Sequence, residues 1–343
     1  MDWLVQRWRA LRAGQGRVPG FVGPVIGLVF VFVLFTVLAG VRPGGASFAT
    51  VGNLELMLRQ TAVIGIAALG MTLIIISGGI DLSVGSNLAL STMALTLVLN
   101  FCHGASGTLP ALAAIGVASL VGLLIGLLVT GLRLPPFIVT LGLWGGLRGL
   151  AKGLGGNQAV YPEPVEAWRQ TWLNGLLHTL DPAAGERWLL VPPGVWIVVL
   201  LALLVAGVLH YTRFGRHVYA IGSNEATARL CGIPVARTKI MIYLLAGALY
   251  GAASVLEFSY VGIGDPTGRM GAELDVIAAV VIGGASLAGG QGSVFGSLIG
   301  ALIMTVVANG CTKLGLSNWV QEIVTGGIII AAVTLDRFRQ RSA

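Results

Sequence analysis

Ten apolar stretches recur along this chain, at roughly 24–40, 60–77, 84–101, 109–131, 136–154, 194–212, 239–257, 273–288, 294–312 and 318–335. Each is close to the ~20 residues of helix that cross ~30 Å of hydrocarbon. Within lipid, every backbone amide must be paired inside its own segment or in a closed barrel, so only helices and barrels span. The runs are continuous rather than alternating, which removes the barrel. An all-α, polytopic membrane helix bundle of about ten transmembrane helices is therefore expected. Composition agrees: 55% of the 343 residues are hydrophobic, 10% are charged and 51 are glycine. Small residues let helices approach closely where no hydrophobic force drives them together.

Ten spans put both termini on one side, and the charges say which. With the N-terminus inside, the inner segments hold Arg7, Arg9, Arg12, Arg17, Arg133, Arg213, Arg216, Arg229, Arg237, Lys239, Arg337, Arg339 and Arg341, 13 of the 21 basic residues. Basic residues accumulate on the cytoplasmic side of short loops. The expected organisation is a basic cytoplasmic N-terminal segment at 1–23, one transmembrane domain at 24–335, and a basic cytoplasmic tail at 336–343. Residues 155–193 form its long external segment and 213–239 a cytoplasmic loop. The first apolar run exceeds a signal-peptide core and lacks a clean cleavage site before Arg42, so it reads as a retained anchor. Topology accounts for the net charge of +7, and no nucleic-acid partner is needed.

Several chemistries have no foothold. No G-x-x-x-x-G-K-[ST] phosphate loop is present, so any ATP dependence belongs to a separate chain. His103, His178, His210 and His217 are scattered, and Cys102, Cys231 and Cys311 have no metal or redox spacing. Neither a cofactor nor a catalytic residue is expected. Most spans carry no charge, which leaves Asp81, Glu273, Asp275 and Glu322 near span ends as the groups a cation-coupled carrier could use.

The polar loop from Arg213 to Lys239 stands out in so apolar a chain. Ser223 or Asn224 can cap a short helix through Leu230, with Gly232 as its stop and Pro234 preventing continuation. Two helical turns are unstable alone in water, so a partner or the rest of the chain must hold them. The run Ile221-Gly222-Ser223-Asn224-Glu225-Ala226-Thr227-Ala228-Arg229-Leu230-Cys231-Gly232-Ile233 resembles the coupling loop of inner-membrane permeases of ribose-type, binding-protein-dependent ABC importers. Gly70 through Gly85, with Ser77-Gly78-Gly79-Ile80-Asp81-Leu82-Ser83-Val84, resembles a second signature of that family, and Phe137–Gly142 and Asp275–Gly284 match two more of its segments. Thr227 interrupts an Ala-Ala pair there, and Cys231 stands where serine is expected.

The resemblance covers about 50–335 and implies a permease in the bacterial cytoplasmic membrane. Its implied partners are a cytoplasmic ABC ATPase, a periplasmic-type solute-binding protein and a second copy of the permease. It implies ATPase coupling through Gly222, Asn224, Glu225, Ala226, Arg229 and Gly232. A monosaccharide or similar small polar solute is the expected cargo. A nucleoside, a sugar-derived signal or an amino acid is the alternative, and a cation-coupled carrier working without an ATPase is the alternative from another class.

Polar side chains available to line a path are Ser77, Asp81, Ser83, Asn87, Thr140, Trp144, Ser286, Asn309 and Gln321, each of which also reads as an ordinary interhelical hydrogen bond. Gly78-Gly79, Ser83-Val84 and Gly85-Ser86 recur as Gly289-Gly290, Ser293-Val294 and Gly296-Ser297, read here as one local turn used twice rather than a duplicated half. Outside, Val165, Trp168, Trp172 and Leu176 share a helical face and read as an interfacial helix, with Glu163, Glu166, Asp181 and Glu186 as rim charges. Arg148 and Lys152, at the outer end of the fifth span, read as snorkelling cations.

Overall fold

The computed structural model describes residues 22–41, 47–103, 106–178 and 191–341. The basic residues before Val22, together with Asp181 and Glu186, lie outside the described residues. Each of the ten apolar runs contains a helix, although the run at 273–288 is helical only as far as Ile282. In chain order these are α1 (Val22–Val41), α2 (Val51–Ile76), α3 (Val84–Phe101), α4 (Thr108–Gly131), α5 (Pro136–Leu154), the short α6 (Val165–Arg169), and α7 (Pro193–Tyr211). After them come α8 (Arg213–Ser223), α9 (Glu225–Leu230), α10 (Val235–Val261), α11 (Ala272–Ile282), α12 (Val294–Lys313) and α13 (Asn318–Arg341).

Seven of the described helices, α1 to α4, α7, α10 and α12, are long and apolar enough to cross a membrane. The other three expected spans fall short for identifiable reasons. Polar and small residues dilute α5, and α11 has only 11 residues before Gly283 and the positive-φ Gly284 turn the chain. In α13 the apolar part is confined to Trp319–Ala331.

Local chemistry sets the boundaries. Thr50 caps α2 by accepting from the Asn53 amide at 3.2 Å, Pro136 opens α5 where its missing N–H costs nothing, and α10 stops at Gly262 in the left-handed region. Helix α2 forms the centre, buried without interruption from Gly65 to Ile76, with α7, α10, α11 and α12 against it. On the other side α4 lies along α10 with backbones touching: a methyl group at Gly122 would overlap the Tyr243 carbonyl, and one at Gly247 the Ala118 carbonyl. That explains how glycine content becomes packing. By contrast, α1 leans on α12 and leaves most of its apolar surface outward.

The bundle has two distinct ends. At one, the α2–α3 turn, the α8–α9 junction and the α11–α12 turn converge. At the other, Val160 and Gly264 pair as an antiparallel bridge, Asn100 Nδ2 donates to the Tyr161 carbonyl at 2.9 Å and the Leu177 amide donates to Ser259 Oγ at 3.0 Å. The outer segment departs from expectation here. Its helix covers only Val165–Arg169, and Trp168 is buried edge-on against Phe258 at 5.4 Å, while Trp172 remains exposed. Burial against α10 outweighs the amphipathic pattern, so Trp168 plugs the bundle instead of lying on lipid. Glu163 and Glu166 are exposed.

Candidate functional site

The polar loop folds as two helices rather than one. Thr212 caps α8 by accepting from the Gly215 amide at 3.1 Å. Asn224 ends α8 and begins α9: its Oδ1 accepts from the Thr227 amide at 2.9 Å, in an extended conformation that turns the chain. Gly232 follows with φ of 81°, as a stop must. Glu225 is held from two sides, by Lys239 Nζ at 2.6 Å and Arg229 at 3.1 Å. The Lys239 hydrogen bond leads in holding its carboxyl below the ordinary value. Ala228 is the buried residue of α9, whereas Ala226 is exposed and Leu230 projects into the open with 88% of its surface exposed. Beside α9 an open groove of about 720 Å³ runs between the α4–α5 turn and the start of α10, edged by Arg133, Pro136, Glu225, Arg229 and Arg237.

Beneath this exposed face lies a junction of backbone on backbone. Gly222, the penultimate residue of α8, sits where an added methyl would overlap the Ile76 carbonyl and come within 2.6 Å of the Gly290 amide nitrogen. The Gly290 amide donates to the Ile76 carbonyl at 2.8 Å, and a methyl at Gly289 would lie 3.0 Å from Gly78 Cα and 2.6 Å from the Gly222 carbonyl. The two sequence-related glycine turns thus meet each other and the α8–α9 corner at one point. They differ in detail. Ser293 caps α12 through Gly296 at 3.2 Å; Ser83 makes no side-chain cap on α3. Its amide and hydroxyl instead donate to Asp81 Oδ1 at 2.8 and 2.6 Å. Asp81 is fully buried, with Tyr243 and Tyr250 of α10 beside it.

The polar residues singled out from sequence divide into two groups. Ser77 Oγ donates to the Ile74 carbonyl at 2.8 Å, closing the end of α2. Thr140 Oγ1 reaches the Ile80 carbonyl at 3.3 Å, and Ser86 Oγ donates to the Trp144 carbonyl at 2.7 Å, so α5 is stapled to the segment that carries Asp81 and Ser83. Asn87 spans α3 and α4 by donating to the Ala118 carbonyl at 3.4 Å. Asn309 is elsewhere, accepting at 3.0 Å from Asn53 near the start of α2, and Gln321 only reaches back to Thr312 and Leu316. Ser286 stays in the α11–α12 turn, accepting from the Ala288 amide.

Sequence reasoning missed one cluster. Arg148 does not snorkel; it is buried, with Nη1 donating to the Pro266 and Gly268 carbonyls at 3.0 and 2.7 Å. One turn earlier on α5, Trp144 Nε1 donates to Glu273 Oε1 of α11 at 3.1 Å. The available signal was the four-residue spacing of Trp144 and Arg148, which puts both on one face of α5.

Among proteins of known role, the ribose import permease protein of Escherichia coli K12 is 38% identical over 91% of this chain and 93% of its own length. The fructose import permease protein of Rhizobium meliloti is 34% identical over 92% of this chain and 86% of its own. The xylose transport system permease protein of Haemophilus influenzae is also 34% identical, over 84% and 90%. No solved structure matches the chain. The family described as the branched-chain amino acid transport system permease component matches residues 53–333. With seven membrane-competent helices and a match over most of its length, the chain belongs to that family, as a multi-pass permease of the bacterial cytoplasmic membrane.

Proposed function

We propose that the chain is the membrane permease of an ABC importer for a monosaccharide. The observation that carries the reading is the nearly full-length similarity to permeases named for ribose, fructose and xylose. Asp81 is the one carboxylate among the proposed path residues and the rest are hydroxyls, amides and an indole, which suits a neutral, many-hydroxyl cargo. A branched-chain amino acid is the second reading, favoured by the family's own description. It requires groups for an ammonium and a carboxylate along the route, and the buried Glu273 and Arg148 are such a pair.

In this reading α5, α11 with its following turn, and α13 complete about ten spans, and both termini face the cytoplasm. The junction end is the cytoplasmic one, because Arg133, Arg213, Arg216, Arg229, Arg237 and Lys239 cluster there. Residues 24–335 act as one domain between the basic ends, 1–23 and 336–343. A cytoplasmic ATPase receives the exposed α9 beside the basic groove, contacting Asn224, Glu225, Ala226 and Arg229 and relying on the turn at Gly232. A solute-binding protein lands on the outer segment, and a second copy of the chain completes the path. Ser77, Asp81, Ser83, Asn87, Thr140 and Trp144 form its inner half, while Asn309 and Gln321 belong to the outer end. Pushing on α9 moves Gly222, and through it the ends of α2 and α12.

The test is reconstitution in proteoliposomes with the cognate ATPase and binding protein, scoring ATP-dependent uptake of radiolabelled ribose, fructose and xylose. Uptake of one of them is expected in the wild type. Glu225→Arg and Gly232→Pro should each abolish it while membrane insertion persists. Normal uptake in both variants, or uptake without any ATPase, refutes the reading.

A further inference from the structure

The Trp144, Arg148 and Glu273 cluster is built at more cost than a packing contact needs. Arg148 and Glu273 are 6% and 9% exposed. Although they face one another, no oxygen of Glu273 comes within 4.0 Å of an Arg148 nitrogen, so the charges do not close into an ion pair. Glu273 Oε2 and Arg148 Nε and Nη2 are all buried with no hydrogen-bond partner among the described residues. Buried polar atoms are normally paired, so orphaned atoms on two charged side chains that face each other call for an explanation.

Both orphaned groups border one spot. A methyl built on Gly85 of α3 would lie 2.5 Å from Glu273 Oε2, 3.5 Å from Arg148 Nη2 and 2.6 Å from the Arg269 carbonyl. Only glycine fits at this position, because the carboxylate and the Arg269 carbonyl already pack against it. A cavity of about 50 Å³ lies one turn further along α3, sharing Gly268 and Arg269 with the surroundings of Arg148. That cavity is too small for a sugar and does not reach Trp144, Arg148 or Glu273. Four separate parts enclose the cluster: α3, α5, α11 and the 262–271 segment. Entry of a solute requires α11 and that segment to draw away from α5.

We propose that Arg148, Glu273 and Trp144 form a hydroxyl-binding station for the solute on its way through the permease. The inference rests on the monosaccharide reading given above. A carboxylate oxygen accepts from one hydroxyl of a vicinal pair, and the guanidinium donates to its neighbour. Their opposite charges cancel, so a neutral diol is recognised without a net field that would trap an ion. Trp144 fixes the carboxylate through its indole N–H and offers an apolar face to ring carbons.

The experiment uses the reconstituted complete importer and the labelled sugar that the wild type takes up. Glu273→Gln keeps shape and the acceptor for Trp144 while removing the charge, and Trp144→Phe removes the indole donor. The expected result is a tenfold or larger fall in uptake for Glu273→Gln and a smaller fall for Trp144→Phe. Binding-protein-stimulated ATP hydrolysis should stay within twofold of wild type and both variants should still purify as folded complexes, since the station handles solute rather than force. Arg148→Lys should fall between the two in uptake, retaining charge without the fork. Uptake within twofold of wild type in folded Glu273→Gln overturns the proposal, as does a parallel loss of uptake and ATP hydrolysis, which marks a structural or coupling role. A wild-type complex that hydrolyses ATP but imports none of the three sugars overturns the monosaccharide reading instead.

Discussion

Leu230 and Gly222 sit on the same short stretch of chain yet live under opposite rules. Leu230 is 88% exposed and touches little of its own chain, whereas a single added methyl at Gly222 collides with two other backbone segments. One end of the segment is open to its surroundings; the other is locked into the interior. The lesson is that, under the proposed coupling role, the segment joins a replaceable surface to a contact without slack. Side chains can swing aside under load; a glycine backbone against a carbonyl cannot.

Breaking the locked side gives the largest effect. Gly222→Ala must displace the Ile76 carbonyl or the Gly290 amide, with an expected loss of ~3 kcal/mol, read as a fall in melting temperature of the purified protein. An unchanged melting temperature would mean that the junction yields, and the contrast with Leu230 would fail. Next, Asn224→Ala removes the cap shared by the two helices and should cost about 1 kcal/mol by the same measurement. Leu230→Asp sharpens the exposed side: stability should stay within ~0.5 kcal/mol, while copurification with the ATPase is lost.

The smallest effect belongs to Glu225, whose carboxylate is 42% exposed. Its folded acidity is strengthened by Lys239 first and Arg229 second. The ion pair therefore contributes stability above the ordinary value of 4.5 and loses it as pH falls through the lower folded value. Solvent screening keeps the contribution under ~1 kcal/mol. The melting temperatures of wild type and Glu225→Gln should converge below that pH and separate slightly above it.

Much of this contrast could be read from residues. The apolar runs gave ten helices at the expected places because burial in lipid depends on local composition. Asn224 and Gly232 marked α9 because capping and positive φ are local demands too. What sequence could not yield was distance between remote segments. The echo of Gly78-Gly79 in Gly289-Gly290 was visible, but not that both turns close on Gly222, since that depends on how three helices cross. Arg148 was misread for the same reason: its partners, Pro266 and Gly268, belong to a loop far along the chain. Trp168 followed an amphipathic rule until Phe258 offered it a drier place. Even α8 escaped notice, its run Arg213 to Ser223 being polar and glycine-interrupted, though Thr212 was a readable cap.

The bond from the Gly290 amide to the Ile76 carbonyl also bears on how the protein is made. The last carbonyl of α2 has no partner within its own helix, and the group that pairs it leaves the ribosome long afterwards. Until then the most deeply buried helix of the bundle carries an open end. Insertion of the early helices and closure of the core are therefore separate events, and the second waits for the chain to reach its final third.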